Sequence, residues 1–119
     1  MYPILNISPV LPVKDITMEI EFFEKLGFKN VYDSLSYSEL LDYAVMHREG
    51  QSIHLQLFDK EDFPGQQIKI WVRDILSIEK ELKERGSMYN RNFDTPWNTN
   101  ELGLYSPSKH AIFFVQERS

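Results

Sequence analysis

Cysteine is absent from the chain of 119 residues. That excludes disulfides, thiol nucleophiles and thiolate metal sites before anything else is read. Basic residues are in deficit, with 13 Lys and Arg against 18 Asp and Glu for a net charge of −5. No cluster of them makes the basic face that nucleic acid requires, so no nucleic-acid partner is expected. Apolar runs are short, and none approaches the roughly 20 residues of a membrane-crossing helix. Met1-Tyr2-Pro3 places no basic segment ahead of the first apolar residues, as a secretory leader would. Gly-rich phosphate loops, Walker motifs and nucleophile elbows are also missing. These absences predict a cytoplasmic protein with no membrane segment, whose acidity mildly suits a cationic partner. At 14.1 kDa the chain is long enough to bury a real core.

What is present is a repeat. Val13-Lys14-Asp15-Ile16 returns as Val72-Arg73-Asp74-Ile75, and Gly27 returns as Gly86, every pair 59 residues apart. Each copy reads as strand, Asp N-cap, amphipathic helix and glycine stop. Asp15 and Asp74 can accept from the orphan amides of a first helical turn, and their charge suits its dipole. Ile16, Ile20, Phe23 and Leu26 line one helix face, and Ile75, Ile78 and Leu82 line the other helix's face. Gly27 and Gly86 supply the left-handed residue that ends such a helix. Glu79, Lys80, Glu81, Lys83, Glu84 and Arg85 make a solvated outer face.

Taken in order, a first strand is predicted over Ile4–Val13, weakened by Pro9 and Pro12, which lack a ladder donor. A short strand at Lys29–Ser34 leads into the polar stretch Leu35–Leu41. Tyr43–His47 and Ser52–Phe58 form a hairpin around Glu49-Gly50, setting Val45 opposite His54, Met46 opposite Ile53 and Ala44 opposite Leu55. Tyr43, Val45, His47, His54, Gln56 and Phe58 then share the face away from the helix. Residues 59–66, with Pro64-Gly65, are a linker. The strand Gln67–Val72 turns Gln67, Lys69 and Trp71 away from the second helix. Residues 87–99 read as irregular, and a last hairpin joins Glu101–Tyr105 to Ala111–Gln116.

The fold class is therefore α+β: two βαβββ units, residues 1–58 and 67–119, in one domain. Their mixed sheets are expected to form a concave cup with the helices outside. A tandem βαβββ chain carrying Pro9-Val10-Leu11-Pro12-Val13-Lys14-Asp15, Phe22-Phe23-Glu24-Lys25-Leu26-Gly27-Phe28, Ile70-Trp71-Val72-Arg73-Asp74 and a Thr95-Pro96-Trp97 tail resembles the vicinal oxygen chelate superfamily. Glyoxalase I, extradiol dioxygenases and bleomycin-resistance proteins belong to it, and the tail is most similar to the bleomycin-resistance branch. The usual Asp-Pro-x-Gly-Asn turn is degraded here to Ser106-Pro107-Ser108-Lys109-His110.

Enzymes of the superfamily hold a divalent metal on four strand positions, which the resemblance maps to Ser8, His54, Gln67 and Phe113. Phe113 cannot ligate and serine rarely does, so the metal centre reads as lost and no cofactor is expected. The resemblance then implies sequestration without catalysis of a bulky aromatic, cationic molecule such as a bleomycin-type glycopeptide, by a homodimer acting in antibiotic resistance. Trp71 and Trp97 would stack on the ligand, with His54, Gln56, Tyr43, Phe58, Lys69 and Phe113 as cup wall. The alternatives are a diverged lyase, isomerase or dioxygenase using His54 with Gln67, or a regulatory or structural relative. Each residue also has a plainer reading. His54 would be a polar residue bonded to a neighbour, Trp71 and Trp97 would seal a dimer or core, and His110 would lie on the surface. Glu101 and Asp94 would attract a basic ligand or merely be solvated.

Overall fold

The computed structural model describes residues 2–119 and divides into two compact units between Phe63 and Pro64. Each unit has four strands and one α-helix, and its sheet is an open mixed sheet.

In the first unit, β1 (Val10–Val13), α1 (Ile16–Lys25), β2 (Lys29–Asp33), β3 (Tyr43–Arg48) and β4 (Gln51–Leu57) give the order β1-β4-β3-β2. Asp15 Oδ1 accepts from Met18 N at 3.1 Å, and Gly27 at φ 87° closes α1. Ile16, Ile20, Phe23 and Leu26 are buried against the sheet face carrying Leu11, Val13, Ala44, Met46, Ile53 and Leu55. Glu49 and Gly50, both at positive φ, make the two-residue turn, and the β3–β4 register is the one expected.

The first strand is shorter than the sequence reading. It begins at Val10, not Ile4. The parallel register sets Val10 beside His54, and β4 starts only at Gln51, so residues 2–6 have no strand alongside to pair with. Pro9 still gives its carbonyl to His54 N at 2.9 Å. Pro12 is tolerated because β1 is an edge strand.

The second unit repeats the plan with β5 (Gln67–Trp71), α2 (Ile75–Glu84), β6 (Asn90–Asn92), β7 (Thr99–Tyr105) and β8 (Ala111–Glu117), in the order β5-β8-β7-β6. Asp74 Oδ1 accepts from Ser77 N at 3.2 Å and Oδ2 from the Ser77 hydroxyl at 2.6 Å. These bonds hold its carboxyl below the ordinary range. Gln116 Oε1 accepts from Ile75 N at 2.9 Å, satisfying another orphan amide of α2. Ile75, Ile78 and Leu82 pack on Leu102, Leu104, Ile112 and Phe114. Burying one such side chain contributes about 1.5–3 kcal/mol.

Strand β6 lies in the stretch expected to be irregular. Asn90-Arg91-Asn92 has no apolar alternation to announce it. It is held instead by Arg91, whose Nε donates to Glu79 Oε2 of α2 at 3.1 Å, and by Tyr89, whose hydroxyl donates to the same oxygen at 3.0 Å.

The two sheets differ by one residue in register. His54 and Phe113 stand 59 apart, but their partners Val45 and Gly103 stand 58 apart. The turn between β3 and β4 has two residues, and the connection between β7 and β8 has five, 106–110. No helix among the described residues is long and apolar enough to cross a membrane.

Candidate functional site

Each sheet has one face against its helix and one open face. Chemistry-bearing side chains collect on the open faces, row by row across the strands.

On the first sheet the central row is Val10, His54, Val45 and Tyr32, and the next holds Pro12, Gln56 and Tyr43. Tyr43 OH and His54 Nδ1 are 2.6 Å apart, with the rings edge to face. The pair fills the middle of the face. Tyr43 is half-buried, and burial, with Tyr37 nearby, raises its pKa above the ordinary tyrosine value. Gln56 is exposed. Phe58 lies one residue past β4, and its ring meets Phe63 edge-on at 6.2 Å.

On the second sheet the central row is Lys69, Phe113, Gly103 and Asn90, and the next is Trp71, Val115, Glu101 and Asn92. Gly103 removes the side chain that would stand beside Phe113. A Cβ built there would meet the Phe113 ring at 3.0 and 3.2 Å, so the ring leans over the glycine. What remains is a cavity of about 190 Å³ lined by Asn90, Asn92, Glu101, Gly103, Leu104, Tyr105 and Phe113. That is the liquid volume of about six waters, room for a ring or a small charged head.

Glu101 is the charged member, and it is buried, 6% exposed, contrary to the solvated residue expected. Burial pushes its carboxyl upward. Hydrogen bonds from Thr99 and Trp97 and the charge of Lys69 outweigh that and hold it below the ordinary glutamate value. Thr99 Oγ1 donates to Oε2 at 2.5 Å and Trp97 Nε1 donates to the same oxygen at 2.7 Å. A tight loop delivers the indole. Thr95 and Thr99 bond one another through backbone and hydroxyls, while Asp94 and Asn98 take positive φ. Trp97 is 61% exposed, clipped to the carboxylate by its nitrogen with its ring free for stacking.

Of the eight residues expected as stacking platform or cup wall, Phe113 lines this cavity, and so does Glu101, one of the two carboxylates weighed as attracting a basic ligand. Trp97 touches the cavity through Glu101. Trp71, 62% exposed, lines a separate open groove with Val72, Arg73, Gln116, Glu117 and Ser119. Lys69 stands beside Phe113 at the cavity's edge. Tyr43, His54 and Gln56 share the open face of the first sheet. Gly103 and Tyr105 were missed by sequence reasoning because the one-residue shift in β7 exchanges the faces that a strict 59-residue offset assigns, and Asn90 and Asn92 because β6 lies in the stretch expected to be irregular. His110, expected on the surface, is fully buried, and its Nδ1 accepts from Gln66 N at 2.9 Å.

The metal positions of the superfamily do not make a donor set here. Ser8 precedes β1, and its hydroxyl accepts from Asn6 Nδ2 at 2.9 Å. His54 bonds Tyr43, Gln67 offers an amide, and Phe113 has no donor atom. Nowhere among the described residues do three or more His, Asp or Glu side chains come together in a way that could hold a metal ion. A catalytic divalent ion needs about three protein ligands, and these residues do not supply them.

Comparison with known proteins returns this fold. A bleomycin resistance determinant encoded on the transposon Tn5 superposes with TM-score 0.77 at 15% identity, covering 96% of this chain and 98% of that one. A bleomycin-binding protein complexed with bleomycin gives TM-score 0.75 at 17% identity, covering 95% and 98%. A member of the glyoxalase/bleomycin resistance protein/dioxygenase superfamily from Sphaerobacter thermophilus gives 0.71 at 24% identity, covering 98% of both chains. No family model and no curated protein sequence matches the chain. The chain has the glyoxalase/bleomycin-resistance fold, and its structural neighbours are members of that superfamily.

Proposed function

We propose that the protein binds a bulky small molecule bearing aromatic and cationic groups and sequesters it without catalysis, in the manner of a bleomycin-resistance protein. The observation that carries this reading is the cavity on the second sheet, where a buried carboxylate, an aromatic ring and two amides converge beside an exposed indole. A carboxylate kept ionised in a recess attracts a cation, while Phe113 and Trp97 offer stacking surfaces. Two structural neighbours supporting the reading are a bleomycin resistance determinant and a bleomycin-binding protein in complex with bleomycin. Function in the cytoplasm, in antibiotic resistance, follows as part of the same reading.

The reading includes a homodimer. Tyr2, Ile4 and Leu5 are each at least 80% exposed, in an apolar segment with no strand of its own unit beside it among the described residues. A second copy is the cover such a segment calls for. Sedimentation of the purified protein should give about twice the chain mass of 14.1 kDa, and a monomer at micromolar concentration would remove this part of the reading.

The function is tested by titrating tryptophan fluorescence with a bleomycin-type glycopeptide, using free tryptophan as control. Saturable quenching at micromolar or tighter concentration is expected, with Trp71→Phe and Trp97→Phe showing which indole reports. A response no different from free tryptophan would reject the glycopeptide as ligand.

A further inference from the structure

The cavity on the second sheet contains an asymmetry that narrows its occupant. Both hydrogen bonds to Glu101, from Thr99 and from Trp97, end on one oxygen, Oε2. No donor among the described residues bonds Oε1, and Glu101 lines the cavity. A buried carboxylate therefore presents one unused acceptor to a recess whose other walls are the Phe113 ring and the side chains of Asn90, Asn92 and Tyr105. A carboxylate oxygen is acceptor-only and bonds most strongly to a charged N–H donor.

Lys69 supplies the second observation. It stands directly across from Phe113 in the β5–β8 register, is exposed, and is the positive charge felt by Glu101. It forms no ion pair with Glu101. It therefore acts as a nearby counter-charge and not as the occupant of Oε1.

Resting on the binding function proposed above, we propose that this cavity is the subsite for a protonated nitrogen group, an ammonium or amidinium, carried on a flat apolar body. The N–H donates to Glu101 Oε1, the body lies against Phe113, and Lys69 is a resident cation against which the ligand's charge competes. The sheet thus selects for charge at one atom and for flatness beside it. A neutral isostere of the same shape loses the charge-assisted bond and leaves Oε1 without a donor.

The test uses benzamidine hydrochloride as probe and benzamide as its neutral match, titrated against the full chain by tryptophan fluorescence and by ligand-observed NMR. The wild type is expected to bind benzamidinium at least tenfold more tightly than benzamide. Glu101→Gln keeps the acceptor for Thr99 and Trp97 and turns an amide N–H₂ toward the cavity, so it should erase that preference. Lys69→Gln should tighten benzamidinium about threefold by removing the competing charge. Circular dichroism checks that both variants are folded, and if Glu101→Gln is not, the probe pair on wild type and the Lys69 variant still decide. Equal affinity for the two probes overturns the proposal. So does a preference that survives in folded Glu101→Gln, weaker binding in Lys69→Gln, or no benzamidinium binding up to about 10 mM. Failure of the glycopeptide titration with the charge preference intact would reject the occupant and keep the subsite. Glycopeptide binding that is indifferent to Glu101→Gln would reject the subsite and keep the function.

Discussion

The two open faces are copies of one plan carrying different residues. Where the first sheet has Val10, His54, Val45 and Tyr32 in its central row, the second has Lys69, Phe113, Gly103 and Asn90. Where the first has Tyr43 bonded to its own His54, the second has Glu101 bonded to an indole from a loop. On the first face, Tyr43 and His54 satisfy one another. In the second, a glycine beside a phenylalanine opens a recess, and the polar group beside it keeps one acceptor unspent. A valine stands in one copy where the other has a glycine, and it is beside that glycine that the recess opens.

The strongest way to break the contrast is to write the first copy's residue into the second. Gly103→Val places carbon where the Phe113 ring already stands at 3.0–3.2 Å. Overpacking should cost about 1–3 kcal/mol in urea denaturation, and filling the recess should weaken benzamidinium at least thirtyfold. Unchanged binding in this variant would move the site elsewhere.

Glu101→Gln sharpens the contrast through pH. The folded carboxyl lies below its ordinary value, so its stabilisation is complete above the unfolded glutamate range and is lost as pH falls through the folded value. Wild type should exceed the variant by about 1.5–3 kcal/mol at pH 7, on the scale of a hydrogen bond to a charged group. The difference should close in acid, and a constant difference down to low pH would show that the charge contributes nothing. Trp97→Phe keeps a ring but deletes the donor to Oε2, with an expected loss of about 1 kcal/mol by the same urea assay. Tyr43→Phe, on the first face, should cost about 0.5–1 kcal/mol and leave benzamidinium affinity unchanged. An altered affinity there would show that the first face takes part in binding.

Much of the scaffold was legible in the chain. Asp15 and Asp74 as caps, Gly27 and Gly86 as stops and the Glu49-Gly50 turn depend on neighbours within a few residues, so local chemistry determines them. The β3–β4 register follows from that turn alone. The site was less legible, because contacts between separate elements determine it. Strand β6 is held by Arg91 and Tyr89 reaching across to Glu79, a tertiary bond that no period in Asn90-Arg91-Asn92 announces. Glu101 reads as a surface charge until Trp97 and Thr99 are seen to bond it. His110 reads as a turn residue until its ring is found under Gln66 N. The expected first strand runs too long because β4 begins only at Gln51, a limit set by the partner and not by Ile4–Pro9.

The one-residue register shift between β3 and β7 has a consequence for anyone who treats the copies as interchangeable modules. Laid over each other at a fixed 59, Tyr43 falls on Leu102 and Val45 on Leu104, and both leucines are buried toward α2. A strand transplanted from one copy to the other at that offset would arrive inside out, because a single-residue slip turns every side chain to the opposite face. The two-residue turn and the five-residue connection belong to their strands, so the smallest part that can be exchanged between the copies is the whole hairpin, turn included.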